Sequence, residues 1–402
     1  MEGCLHCGAT TQTVLDLGAV PQVDRLWPDQ LSALAAPCYP LVVARCPDCA
    51  LAQLSLGLPR ERLFGDEYRY CSSVSAGVLE SAHQHALQLI ADCGLGPHSL
   101  VMEAASNDGY QLRWFAQACV PVLGIEPASV PAAAASARGI PVRADYFSLA
   151  LARDLIAQDQ RADVFLAKNV LAHVPDPHDF LRGVATVLKP GGVASFEFPY
   201  LRNLLAHGQF DTIYHEHRCY LSLTTLATLL EPHRLHIHRV AEIDLHGGSL
   251  RVDVQLTPGG DGSAQRILKA EDAAGVNELA AWVELAAKVD RSTADLQEQV
   301  AAARAQGDTV VAYGAAAKGV VMLNRAGLSH RELDYVVDLN RHKQGLYMPG
   351  SGLQIRSPNA LLADPPAAVL LLAWNHAREI QHEQQAYTHQ GGRWIVLKST
   401  TT

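Results

Sequence analysis

Two short cysteine pairs constrain this chain more than any other feature. Cys4-x-x-Cys7 and Cys46-x-x-Cys49 are paired CxxC knuckles, the spacing at which four thiolates close a tetrahedral Zn²⁺ shell. Gly8 after the first knuckle and Pro47-Asp48 within the second supply turns that aim backbone N–H groups at sulfur. The 38 residues between Cys7 and Cys46 exceed what a compact zinc ribbon needs, so a small inserted subdomain is expected. A redox CxxC accounts for one pair but not for two. Four thiolates leave no open position on the metal, which assigns zinc a folding role. Cys38, Cys71, Cys93, Cys119 and Cys219 have no such spacing and read as small buried hydrophobes. Nine cysteines in 402 residues are too sparse for a secreted disulfide scaffold.

From about residue 99 the chain alternates strand, turn, helix and strand. In SLVMEAASNDGYQLRWF an apolar run ends at Glu103, passes through Ala105-Ser106-Asn107-Asp108-Gly109 and enters a helical pattern. The next strand, VPVLGIEP, ends on Glu126-Pro127, with Glu126 23 positions after Glu103. That is where a doubly wound sheet places a carboxylate for ribose hydroxyls. A dinucleotide site needs GxGxxG, and this turn has one glycine where three are required, which disfavours NAD. S-adenosylmethionine carries no phosphate, and a carboxylate before the turn with Asp108 inside it suits its ammonium and ribose. Asp145 and Tyr146 follow a third strand at the depth of an adenine contact, and Asn169 and His173 follow a fourth. VLKPGGVASFEFPY adds a helix end, a Pro-Gly-Gly turn and a fifth strand. The ordered series over roughly residues 75–235 resembles the class I S-adenosylmethionine-dependent methyltransferases.

FDTIYHEH, ending at His217, concentrates ionisable chemistry. Read as an extended segment, it puts His215 and His217 on one face and Tyr214 and Glu216 on the other. Two histidines without HExxH spacing make a poor metal site. An imidazole steered by a carboxylate and helped by a phenol is instead equipment for removing a proton α to a carbonyl. Carbon methylation needs that step, because an unactivated C–H carbon has no electron pair to offer a sulfonium methyl. The alternative is an O- or N-methyltransferase acting on a nucleotide sugar or another small metabolite, which would need only one base or a metal. A non-catalytic zinc-containing interaction protein is a third reading, opposed by the intact Glu103, Glu126 and YHEH set.

The zinc pairs, SNDG, GIEP, NVLAHVPD, EFPYL, FDTIYHEH, HGGSLR, YGAAAKG and LDYVVDLNRHKQG follow one another in an order that resembles the nucleotide-sugar C-methyltransferases, over nearly the whole chain. The resemblance implies an α/β protein in three parts: a zinc-binding domain (residues 1–66), a class I methyltransferase doubly wound sheet (67–242) and a C-terminal Rossmann-like domain (243–402). It implies C-3 methylation of a dTDP-4-keto-deoxyhexose in deoxysugar and antibiotic biosynthesis. His217 would be the base, Tyr214, Glu216 and His173 would orient it or polarise the C-4 carbonyl, and Tyr68 would be the active-site tyrosine before the SSxS segment. Where the family often has SSYSxSW, this chain reads Cys71-Ser72-Ser73-Val74-Ser75-Ala76-Gly77, a departure that reshapes the pocket beside Tyr68 and Ser72. In the last part, Gly314–Ala317 and Lys318 look like a phosphate cradle at a helix N-terminus. Ser249, Arg251, Lys343, Asn375 and His246 are further candidates for the substrate side.

The formal charge of −9 argues against a broad grip on nucleic acid. MEGCLHCGAT lacks a charged leader with an apolar run, and no apolar stretch reaches membrane-spanning length. A cytoplasmic monomer with a small-molecule partner is expected.

Overall fold

The computed structural model describes residues 3–65 and 71–397, and builds three sheets. The first begins with β1 (Gln12–Pro21), β2 (Cys38–Arg45) and β3 (Ala52–Leu54), each antiparallel to the next. The expected inserted subdomain is the β1–β2 pair with a short helix, Gln30–Leu34, whose cap Asp29 accepts a hydrogen bond from the Ser32 N–H.

The central sheet contains β4 (Val101–Ala104), β5 (Val122–Ile125), β6 (Val142–Arg143), β7 (Ala162–Lys168) and β8 (Leu188–Pro199), all parallel. Helices on both faces bury β4 and β7, which is why these strands read as apolar runs without alternation. After β8 the chain leaves this sheet. Its next strand, β9 (Cys219–Tyr220), pairs antiparallel with β3 and completes the first sheet as a fourth strand. The chain then returns with β10 (His236–Ile243) and β11 (Ser249–Gln255), and β11 inserts antiparallel between β10 and β8. The resulting order, β10-β11-β8-β7-β4-β5-β6, reverses direction between β4 and β7. A reversal of that kind opens a crevice beyond the carboxyl ends of the strands.

HGGSLR, which begins just after the boundary expected at residues 242 and 243, starts a strand that pairs with β8 of the central sheet. Nothing in local composition reveals this, because the partners of β11 on β8 lie about fifty positions earlier in the chain. The expected burial of the unpaired cysteines also needs correcting: Cys219 is buried, Cys71 and Cys93 are half-buried, and Cys38 and Cys119 are exposed. Cys38 opens β2 at the end of its pairing with β1, and Cys119 sits in a left-handed turn after the helix Leu112–Gln117.

The third sheet is parallel throughout, with β12 (Val310–Tyr313), β13 (Val336–Val337), β14 (Ile355–Arg356), β15 (Ala368–Leu371) and β16 (Arg393–Ile395) in the order β14-β13-β12-β15-β16. It too reverses at its first strand, as a Rossmann-like sheet does. The helix Leu279–Ala305 buries Trp282, Leu285, Val289, Leu296, Val300 and Ala303, a stripe at three- and four-residue spacing. This stripe shares one core with Leu15, Leu41 and Val43 of the first sheet and Val310 and Met322 of the third. Backbone bonds between Trp27 and Tyr347, 3.0 and 2.8 Å long, fasten the first domain directly to the last. Among the described residues no helix is long and apolar enough to cross a membrane.

Candidate functional site

The four knuckle sulfurs lie within 4.8 Å of one another, with Cys4–Cys49, Cys7–Cys46 and Cys7–Cys49 at 3.4, 3.5 and 3.8 Å. Tetrahedral Zn–S bonds of about 2.3 Å require sulfurs roughly 3.8 Å apart, so the thiols fit a closed Zn²⁺ shell. Each knuckle turns on a left-handed residue, Gly8 at φ 76° and Ala50 at φ 62°. Gln53 braces the first knuckle from β3, accepting from the Leu5 N–H at 2.8 Å and donating to the Gly3 carbonyl at 3.1 Å.

The crevice of the central sheet holds the expected cofactor residues. Ala105 is exposed amid buried neighbours. Ala105, Asn107 and Gly109 have φ of 48°, 51° and 75°, a loop of left-handed residues alternating with ordinary ones. Such backbone costs about 1–3 kcal/mol at each non-glycine position and persists only where its surroundings over-determine it. Here Glu126 does so, accepting from the Asn107 and Ala128 N–H groups at 2.9 and 2.8 Å. Asn107 Oδ1 in turn accepts from the Ser72 N–H at 2.9 Å. Asp108 braces the loop from below, ion-paired with Arg138 at 3.0 Å and bonded to Ser73. Asp145 accepts from the Tyr146 N–H at 2.8 Å, and the Tyr146 ring lies 4.2 Å under the guanidinium of Arg60. Pro127 is half-buried beside Glu126.

Several buried atoms at this edge have no protein partner: Glu103 Oε2, Ser106 Oγ, Asp108 Oδ1 and Asn169 Oδ1. Burial holds the Glu103 carboxyl well above its ordinary range, against the pull of Lys168. Unsatisfied acceptors gathered at a strand-reversal crevice suit a cationic, hydroxyl-rich ligand, and S-adenosylmethionine fits. Beneath them Glu197 is pushed up by burial, but Lys168 at 3.7 Å and Arg251 at 2.8 Å outweigh that and hold it below the usual carboxylate value.

YHEH is not extended. The 3₁₀ turn Phe210–Thr212 leads into a tight turn closed by the His217 N–H donating to the Tyr214 carbonyl at 2.9 Å. Closure brings Tyr214 and His217 together, ring centroids 4.0 Å apart, and sends His215 away to the Tyr39 carbonyl at 3.3 Å. The expectation that His215 and His217 share a face is thereby corrected. His217 Nδ1 bonds the Thr212 carbonyl at 2.7 Å, and His173 Nδ1 bonds the Glu216 carbonyl at 2.5 Å. A carbonyl only accepts, so each Nδ1 carries the proton and each Nε2 keeps its lone pair. The two imidazoles lie 4.8 Å apart, and Phe64 of the first domain stands edge-on to His173 at 5.5 Å. Burial, then the neighbouring His173, keeps His217 well below the ordinary histidine value, and burial takes His173 down to about 4. Glu216 is buried with neither carboxyl oxygen hydrogen-bonded, and burial together with Asp24 pushes it up to about 8.

Three protein-family models match successive stretches: a zinc binding domain (residues 4–64), a methyltransferase domain (79–237) and a C-methyltransferase C-terminal domain (244–397). The chain is 35% identical to the C-methyltransferase NovU of Streptomyces niveus, over 98% of this chain and 95% of that protein. It belongs to this C-methyltransferase family. An uncharacterized methyltransferase of Mycobacterium leprae is 28% identical over 33% of this chain and 51% of its own length. Magnesium protoporphyrin IX methyltransferase from Synechocystis, solved with bound S-adenosylhomocysteine, overlaps 44% of this chain and 83% of its own at 16% identity and a TM-score of 0.36, too loose an overlap to bear on function.

As a C-methyltransferase of this family, the protein is a zinc-containing, S-adenosylmethionine-dependent enzyme with a class I sheet at its centre. Its expected substrate-side residues are scattered. Ser72 lies against the cofactor loop. Ser249 is buried, bonded to the Leu245 carbonyl at 3.2 Å, and Arg251 is committed to Glu197 and to Ser81 at 3.2 Å. Lys318 donates to the His246 carbonyl at 3.1 Å and sits 4.2 Å from the Trp374 ring, while Lys343 donates to the Ala315 carbonyl at 2.8 Å. Asn375 is half-buried in the 3₁₀ turn Trp374–His376. Tyr68 lies outside the described residues. Sequence reasoning missed Phe64, Thr212, Asp211 and Trp374. Asp211 and Thr212 were inside a quoted motif, but no spacing rule marks them.

Proposed function

We propose that this methyltransferase adds a methyl group to C-3 of a dTDP-linked 4-keto-deoxyhexose, with His217 removing the C-3 proton. The observation that carries this reading is the pair of buried imidazoles, each donating through Nδ1 to a backbone carbonyl and so presenting Nε2 as a base. A neutral imidazole in a desolvated site is suited to general-base work near neutral pH. Glu216, kept protonated by burial, donates a hydrogen bond to the C-4 oxygen, as a neutral acid at an apolar site can. Tyr214 stacks on His217 and limits its swing. Proton loss from C-3 moves the C–H electron pair into the enolate, whose carbon is the nucleophile. S-adenosylmethionine, held by the Ala105–Gly109 loop, Glu103 and Glu126, supplies the electrophilic methyl group when bound. The product belongs to the branched deoxysugars used in antibiotic biosynthesis.

Mass spectrometry on a panel of dTDP-4-keto sugars incubated with labelled methyl donor tests the assignment. A mass gain on the hexose with loss of a deuterium placed at C-3 is expected. Methylated product that keeps that deuterium would mean attack by oxygen or nitrogen and would overturn it.

A further inference from the structure

We propose that Trp374 and Asp211 form a positioning pair that fixes the His217 imidazole in its base-competent orientation once the third domain is docked. The inference rests on His217 being the base. Trp374 lies just beyond β15, on the carboxyl side of the third sheet, yet its indole Nε1 donates to Asp211 Oδ2 at 2.5 Å in the YHEH segment. Asp211 is 1% exposed and precedes Thr212, whose carbonyl accepts the hydrogen bond from His217 Nδ1–H. The turn between them is stiff: Thr212 Oγ1 bonds the Gln209 carbonyl at 2.7 Å, and Gln209 Nε2 bonds the Gly247 carbonyl at 2.8 Å. Asp211 is the residue before Thr212 in this turn, so its side-chain anchor bears on the direction of the Thr212 carbonyl.

That anchor comes from the third domain. Lys318, on the helix Ala317–Ala326, places Nζ 4.2 Å from the Trp374 ring and bonds the His246 carbonyl. Burial raises the Asp211 carboxyl above its ordinary range, and the Lys318 charge and the Trp374 bond only partly offset that. A buried carboxylate without partners is costly, so Asp211 is well held only when Trp374 and Lys318 are in place. The contact lets docking of the third domain reach the imidazole through two backbone bonds. An ordinary interdomain contact would stabilise the fold without touching the tautomer of His217.

Nitrogen-15 NMR of the imidazoles, on full-length protein with S-adenosylhomocysteine, separates these roles, with His217→Gln assigning the signal. Trp374→Phe keeps the aromatic face over Lys318 and removes the N–H, and Asp211→Asn keeps the shape and replaces the carboxyl with an amide. We expect wild-type His217 to be Nδ1-protonated and both variants to lose that single tautomer. Exchange of the C-3 hydrogen of dTDP-4-keto-6-deoxyglucose with D₂O should fall about tenfold in kcat, with KM within roughly twofold. An unchanged tautomer and unchanged kcat in both would overturn the proposal, and so would loss of folded protein in both, which would assign the contact to stability alone. Wild-type exchange in His217→Gln would remove the base assignment whatever Trp374 does. Loss in His217→Gln with wild-type behaviour in the other two would overturn this inference alone.

Discussion

His217 shows how one side chain acquires its chemistry from its surroundings. A free imidazole titrates near 6.5, but here burial and the adjacent His173 disfavour the cation. In the proposed reaction the neutral imidazole is the working form, so a depressed pKa extends activity downward. The acid limb of kcat/KM should therefore lie below pH ~6.5, a pH–rate profile being the measurement, and a limb above that value would point to another group. His217→Asn should cut turnover by about 10²-fold or more while S-adenosylhomocysteine affinity by calorimetry stays nearly unchanged. Unchanged turnover would transfer the role to His173, whose Nε2 is held in the same way. The identities of Tyr214, Glu216, His217 and His173 were legible in the sequence because ionisable residues crowd there beyond what a strand needs. Their arrangement was not, because alternation assumes an extended chain and the bond from His217 to Tyr214 makes a turn.

At the scale of elements, the HGG turn between β10 and β11 is the tightest joint near the site. His246, Gly247 and Gly248 have φ of 58°, 95° and 104° in succession. A Cβ on Gly248 would lie 1.8 Å from Asn203 Nδ2, and one on Gly247 would lie 2.7 Å from the Trp374 ring. Gly248→Ala must therefore bend the turn or displace Asn203. A loss of about 1–3 kcal/mol in denaturant unfolding is expected; wild-type stability would show that the turn relaxes without cost. The doubly wound elements were legible because buried parallel strands are short apolar runs ending at polar residues, as β4 does before Ser106 and β7 before Asn169. The insertion of β11 between β10 and β8 was not, since it is decided by contacts with a strand distant in sequence.

For the molecule as a whole, the zinc site reaches further than its distance from the chemistry implies. Gln53 braces the Cys4–Cys7 knuckle, and the same residue pairs with Cys219, two positions from His217. Cys46→Ser should lower the yield of folded protein, because a closed zinc shell contributes folding energy; normal yield with zinc absent by metal analysis would contradict that. Chelation should lower turnover before it abolishes S-adenosylhomocysteine binding, since the Ala105–Gly109 loop proposed to hold it is braced by Glu126 and Arg138 of the central domain. Equal loss of both would place zinc beneath the entire fold. The cysteine spacing announced the metal, whereas its connection to His217 passes through β3 and β9, a pairing no local pattern encodes.

That pairing also constrains how the protein can be made and taken apart. Ala52 and Gln53 pair with β2 on one side but find their partners on the other only once Tyr220 and Cys219 have been synthesised, so the amino-terminal unit emerges from the ribosome with one sheet edge bare. A fragment cut at the end of the first domain would keep all four cysteines and still expose that edge, a template for sticking to other chains, which makes the excised zinc module a poor candidate for study in isolation.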